Sequence, residues 1–133
     1  MKRRFLAVIL MLSLLLPAVL NVKASADVTD YIHYIPTKLV ISSKEVEVEG
    51  YFVNLNESTR VGNFTDFSME IGYAGETLIE ADFGDLKQFM VPALGVLKHS
   101  FTISYPNGHD LTNGTYTCDD SFYAIFSCNL QYR

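Results

Sequence analysis

From Lys38 onward the apolar residues alternate with polar ones or run in short blocks, and no stretch carries a 3.6-residue period. Leu39 and Ile41 share one parity in Lys38–Ser42, with Val40 on the other, which predicts a first strand ending at a Ser43-Lys44 turn. Glu45-Val46-Glu47-Val48-Glu49 is strict alternation, the pattern of a strand with one wet and one dry face. This strand continues to Asn54, and Gly50 interrupts its alternation at the place where a bulge is expected. Asn54 to Phe64 is polar and reads as a loop. Phe67, Met69 and Ile71 then alternate with Ser68, Glu70 and Gly72. An Ala74-Gly75-Glu76 turn leads into a strand over Thr77–Phe83, so the two form a predicted hairpin.

Gly84 to Gly95 is expected to be a crossing loop. A single helical turn with Leu86, Phe89 and Met90 on one side is the alternative. Val96–Tyr105 reads as a strand with Leu97, His99, Phe101 and Ile103 on one parity. Pro106-Asn107-Gly108 and the segment from Asp110 to Gly114 are turn signals. Thr115–Cys118 and a final aromatic strand from Phe122 to Cys128, extending toward Gln131, complete the pattern. About seven short strands with turns between them predict an all-β antiparallel sandwich.

The N-terminus differs from everything after it. Lys2, Arg3 and Arg4 precede an apolar run from Phe5 to Leu20, and Ala24-Ser25-Ala26 is a small-x-small cleavage pattern. Residues 1–26 are therefore expected to be an export signal cut between Ala26 and Asp27, with an uncleaved membrane anchor as the alternative. Residues 27–133 form one expected domain, with no stable membrane span after cleavage. Cleavage also changes the charge. It leaves six basic side chains against fifteen acidic ones, a net charge of −9 compared with −5 for the whole chain. So acidic a domain is repelled by nucleic acid and anionic lipid and is drawn to cations or basic surfaces.

The only cysteines are Cys118 and Cys128. Export implies oxidising surroundings, so a disulfide between them is expected, stabilising by roughly 2–3 kcal/mol. It requires a wide loop through about residues 119–124, because a tight turn at Asp119-Asp120 would set Cys118 opposite Ser121. Free thiols are the alternative.

Candidate chemistry is sparse. His33, His99 and His109 lack paired-ligand spacing, and no Gly-x-Ser-x-Gly, His-Glu-x-x-His or phosphate loop occurs. His99 falls at the parity of Phe101 and Ile103, which suits a half-buried, hydrogen-bonded histidine. Glu45, Glu47 and Glu49 line one face of a strand about 7 Å apart, where like charges guard an exposed sheet edge. Asp110, Asp119 and Asp120 lie in turns that could meet at one end of a sandwich, and such oxygen ligands suit calcium, although EF-hand spacing is absent. Asn56, Asn63 and Asn113 head Asn-x-Ser/Thr sequons in predicted loops, which would be glycosylation acceptors in a eukaryotic pathway. The aromatic groups Tyr31/Tyr34 and Tyr116/Phe122/Tyr123/Phe126 are expected mainly in the core.

The segment Val46-Glu-Val-Glu-Gly-Tyr-Phe-Val-Asn54 has a Glu-Gly-x-Phe-x-Asn ending. A strand like Asp66–Ile71 follows it, then Leu78–Phe83, then Pro92 and an apolar strand through Phe101 and Ile103. This succession, over about residues 38–104, resembles the SLAP domain of Gram-positive cell surfaces and, more loosely, FxLYD-type immunoglobulin-like modules. Lys98-His99 stands where the pattern would place Trp. The resemblance implies an immunoglobulin-like sandwich with a surface role and no catalytic residue.

The expectation is a small secreted, non-enzymatic binding module at or near a bacterial cell surface, without cofactor or metal, whose partner is a protein or cell-wall component. One rival is a secreted inhibitor or toxin-like effector that binds a basic protein. Another is a secreted hydrolase built on His99 or His109 with loop carboxylates.

Overall fold

The computed structural model describes residues 30–132. The expected export signal and its Ala26–Asp27 cleavage point lie outside the described residues. Seven strands follow one another: β1 (Ile32–Ile41), β2 (Glu45–Asn54), β3 (Val61–Tyr73), β4 (Glu76–Val91), β5 (Val96–Ser104), β6 (Gly114–Thr117) and β7 (Phe122–Tyr132). They pair into a four-stranded sheet ordered β5-β2-β1-β6 and a three-stranded sheet ordered β4-β3-β7. Every pairing is antiparallel. This is the predicted all-β sandwich.

The alternating residues meet between the sheets. Val46, Val48 and Phe52 of β2 are fully buried, and Phe64, Phe67, Met69 and Ile71 face them from β3. Phe52 is the hub of an aromatic core, with its centroid 4.9 Å from both Tyr34 and Phe89 and 5.6 Å from Phe64. Offset and edge-on pairs of this kind add roughly 0.5–1.5 kcal/mol each beyond their burial. Tyr34, which lies inside β1 and not ahead of it, donates its hydroxyl hydrogen to His99 O at 2.8 Å.

The extra residue predicted near Gly50 sits on the neighbouring strand. The register passes from Pro36↔Gly50 to Lys38↔Glu49, which leaves Thr37 bulged from β1. Gly50 answers a different demand: a Cβ there would lie 2.5 Å from Ile35 O and 2.7 Å from the Tyr34 ring.

Residues 84–91 correct the expected crossing loop or helical turn, because they continue β4. Phe89 is buried and Met90 exposed, so the two point to opposite faces. The β3–β4 ladder here is broken by repeated register shifts, with left-handed backbone at Asn63, Asp66, Gly84 and Gln88. Neighbouring polar side chains hold these bulges. Asn63 Oδ1 accepts from Gln88 N–H, Asp85 Oδ1 from Asp66 N–H, and Asp82 Oδ1 from Gly84 N–H. Asn63, predicted in a loop, is thus inside β3.

The expected Cys118–Cys128 disulfide is not formed. Cys118 follows β6 at the edge of the first sheet, while Cys128 lies on β7 in the second. Between them the chain turns at Asp120-Ser121, with Phe122 N–H bonded to Asp119 O, and passes from one sheet to the other. At about 3.3 Å per residue, β7 then carries Cys128 about 20 Å from its start.

Candidate functional site

β6 extends the first sheet by one strand that the second sheet does not cover. It packs chiefly on β1, and all four of its residues are exposed. Leu39 pairs with Tyr116 and Ile41 with Gly114, so Tyr116 shares the inward face of these two β1 residues. Beside it a cleft of about 670 Å3 opens between β6, the β3–β4 hairpin and the start of β7. Its apolar surface comes from Leu39, Ile41, Leu78, Leu111, Tyr73 and Phe122. The Tyr73 and Phe122 rings lie 4.7 Å apart and brace one wall. Tyr116 donates its hydroxyl hydrogen to Thr112 O at 3.0 Å, which holds the opposite wall to its own loop.

Two carboxylates, Asp110 and Asp119, line the same cleft, and among the described residues its lining contains no Lys, Arg or His. Asp119 uses Oδ1 to accept from Ser121 N–H at 2.8 Å, which shapes the crossing turn. The predicted meeting of acidic turns is therefore realised for Asp110 and Asp119, and Asp120 is not part of the lining. Among the described residues no cluster of three or more His, Cys, Asp or Glu is disposed to hold a metal. Cys118 packs against the core nearby, and burial, with Asp119 adding to it, pushes its thiol up to about 11. A thiol so protonated is a poor nucleophile.

The histidines serve three different environments. His33 is exposed on β1. His99 is half-buried, and its ring lies 4.6 Å from Phe101, 5.0 Å from Phe89 and 6.2 Å from Phe52. It is held by aromatic rings where a hydrogen-bonded side chain was expected, and burial pushes its pKa down. His109 Nδ1 accepts from Leu111 N–H at 3.1 Å, and its Nε2 contacts Ser42 O. That pattern fits the neutral Nε2–H tautomer and ties the 105–113 loop to the β1–β2 hairpin. Neither His99 nor His109 is paired with a carboxylate among the described residues.

Glu45, Glu47 and Glu49 lie on β2, in the middle of its sheet, so the edge-guarding expectation is corrected. Glu49 bonds Lys38 Nζ at 2.7 Å and faces Lys98 Nζ at 4.0 Å. The Lys38 hydrogen bond holds its carboxyl below the usual range. A second, shallower acidic hollow of about 460 Å3 lies on the outer face of the other sheet, with Glu70, Glu80 and Asp82 in its lining. Of the sequon residues, Asn56 spends its carbonyl oxygen on the N–H groups of Ser58 and Thr59, and Asn113 is exposed just before β6.

The Glu-Gly-x-Phe-x-Asn ending proves to be structural. Gly50 admits Tyr34, Phe52 centres the core, and Asn54 is buried and clasps Thr59 O and Val91 O. Sequence reasoning did not anticipate Tyr73, Leu78 or Leu111 as cleft residues. Their one signal was the short Gly-Thr-Tyr-Thr strand, set between two turns and too short to be covered on both sides.

Fold and cleft together define a β-sandwich with a recessed, partly apolar and acidic groove along one sheet edge. No family model, no curated protein and no solved structure matches the chain.

Proposed function

We propose that this protein is a secreted, non-enzymatic binding module that acts at or near a bacterial cell surface through the cleft beside β6. The cleft carries the reading. It is concave, it joins apolar and aromatic walls to two carboxylates, and it runs along an open sheet edge. Recognition sites have this composition, in which apolar area supplies affinity and a few polar groups fix orientation. The export-signal pattern of residues 1–26 and the SLAP-like succession over 38–104 support the surface location.

Expression with its own leader in a Gram-positive host, followed by separation of medium, wall and membrane fractions, tests the proposal. A cell-associated fraction is expected. Leu111→Glu, which charges the cleft wall, should release that fraction into the medium, and a cooperative thermal transition retained by the released variant distinguishes loss of binding from unfolding. Recovery of the unsubstituted protein solely as a freely diffusing monomer in the medium would overturn the reading.

The inhibitor or effector reading uses the same cleft. It draws on the unbalanced charge of Asp110 and Asp119, and it differs in requiring a soluble basic target.

A further inference from the structure

We propose that the edge of β6 left unpaired among the described residues, with the adjoining cleft, takes an extended cationic peptide segment, added to the first sheet as a strand next to β6. The inference rests on the binding-module reading and names the chemistry of its ligand.

Three observations converge on it. The first is the direction of the backbone groups. Cys118 N–H donates to Thr37 O at 2.9 Å, so this pair is hydrogen-bonded. Antiparallel ladders alternate bonded and non-bonded pairs, so Leu39–Tyr116 and Ile41–Gly114 are bonded in turn. Thr115 and Thr117 then turn their N–H and C=O groups away from β1, toward the open edge. Edge strands are commonly protected by Pro, Lys, a bulge or shortness; Gly114-Thr-Tyr-Thr117 has none of the first three, and its four residues leave Thr115 and Thr117 to offer outward-facing groups. Thr115 and Thr117 both line the cleft. A strand added about 4.8 Å from β6 would therefore lie in its mouth.

The second is the cleft's two-sided chemistry. Successive side chains of an extended segment point to opposite faces. One parity of the added strand can reach the apolar surface of Leu78, Leu111 and Phe122, while the other can meet the exposed carboxylates of Asp110 and Asp119. This is the usual division of labour in strand addition, in which main-chain bonds give affinity and side-chain pockets give specificity.

The third is charge. Among the described residues Asp110 and Asp119 are the only charged members of the lining. They select for Lys or Arg on the incoming segment. They also select against a second copy of this acidic chain, since edge-to-edge pairing of two β6 strands would bring both copies' carboxylates together.

The probe is a blocked synthetic octapeptide alternating lysine with valine and phenylalanine, with a control carrying glutamate in place of lysine. Binding is read by calorimetry, and its location by amide hydrogen exchange. The lysine peptide is expected to bind at low salt and to slow exchange at Thr115 and Thr117. The glutamate peptide should not bind. Asp110→Asn with Asp119→Asn should weaken the lysine peptide about tenfold. The amide oxygen that replaces the Asp119 carboxylate can still accept from Ser121 N–H, so the turn survives. Loss of most of the binding in high salt should follow.

Binding without slowed exchange at Thr115 and Thr117 would overturn strand addition. Binding unchanged in the double variant would overturn the cationic selection. Tighter binding of phenyltrimethylammonium, with the peptide unable to displace it, would mean a small cationic ligand and would overturn the peptide assignment. If the lysine peptide fails while Leu111→Glu still releases the protein from cells, the binding module stands and this inference falls. If both fail, the cleft is not the binding surface.

Discussion

Asn54 is the one buried polar side chain among the described residues, at 1 % exposure, and it closes a whole corner of the molecule. Its amide donates to Thr59 O at 2.8 Å and Val91 O at 3.3 Å, and its carbonyl oxygen accepts from Asn56 N–H at 2.9 Å. Truncation strands these groups where water cannot replace the partner. Asn54→Ala should cost about 2–3 kcal/mol in urea unfolding. Asn54→Asp should cost more, because it aims a carboxylate at two carbonyls. His99 gives the second prediction at this scale. Burial among aromatic rings lowers its pKa from the ordinary 6.5, so the unfolded chain binds the proton more readily than the native one. The stability this confers is complete above the ordinary histidine value. It is lost as pH falls from there through the native value, and then levels off. Thermal unfolding across that range should show the decline, and His99→Phe should remove it. His99's parity was legible in the sequence. The aromatic rings around it were not, because alternation tells which way a side chain points and not what it meets.

Strand by strand, the agreement follows how well the ladder keeps its period. β2 runs from Glu45 to Asn54, as its alternation predicts. The sequence predicts β4 only as far as Phe83, because Gly84 and the bulges after it shift the parity and leave three-residue steps from Phe83 to Leu86 and from Leu86 to Phe89. The β3–β4 hairpin shows the opposite case, a correct turn made with a poor residue. Tyr73 pairs with Glu76 across Ala74 and Gly75, whose φ values are 51° and 88°. Two positive φ values in a two-residue loop suit Asn-Gly best, and an alanine there carries the cost of left-handed backbone. Ala74→Asn should therefore stabilise the fold by about 0.5–1 kcal/mol in chemical denaturation. Its backbone bond to Ser121 O is unaffected by the side chain.

For the molecule as a whole, two-layer architecture was legible because nearly every strand has a dry face that needs a partner sheet. The relative offset of the layers was not. Nothing in Gly114-Thr-Tyr-Thr117 says that it will join β1 when the next strand joins β3, and that switch both opens the cleft and separates the cysteines. The turns of Asp110, Asp119 and Asp120 are expected from the sequence to meet at one end, which holds for the first two, whereas the cleft walls include Leu39, Tyr73 and Leu78, far away in the chain.

The same switch has a consequence in time. A chain made from its N-terminus completes β1, β2 and the β3–β4 hairpin from local segments. Val40 must still wait for Thr115, and Met69 for Phe126, before either sheet has its outer strand. Pairings this distant are slow to close. Until β6 and β7 emerge, one edge of β1 and one edge of β3 stay unpaired. Synthesis of the tail thus sets the moment at which the nascent chain can finish folding.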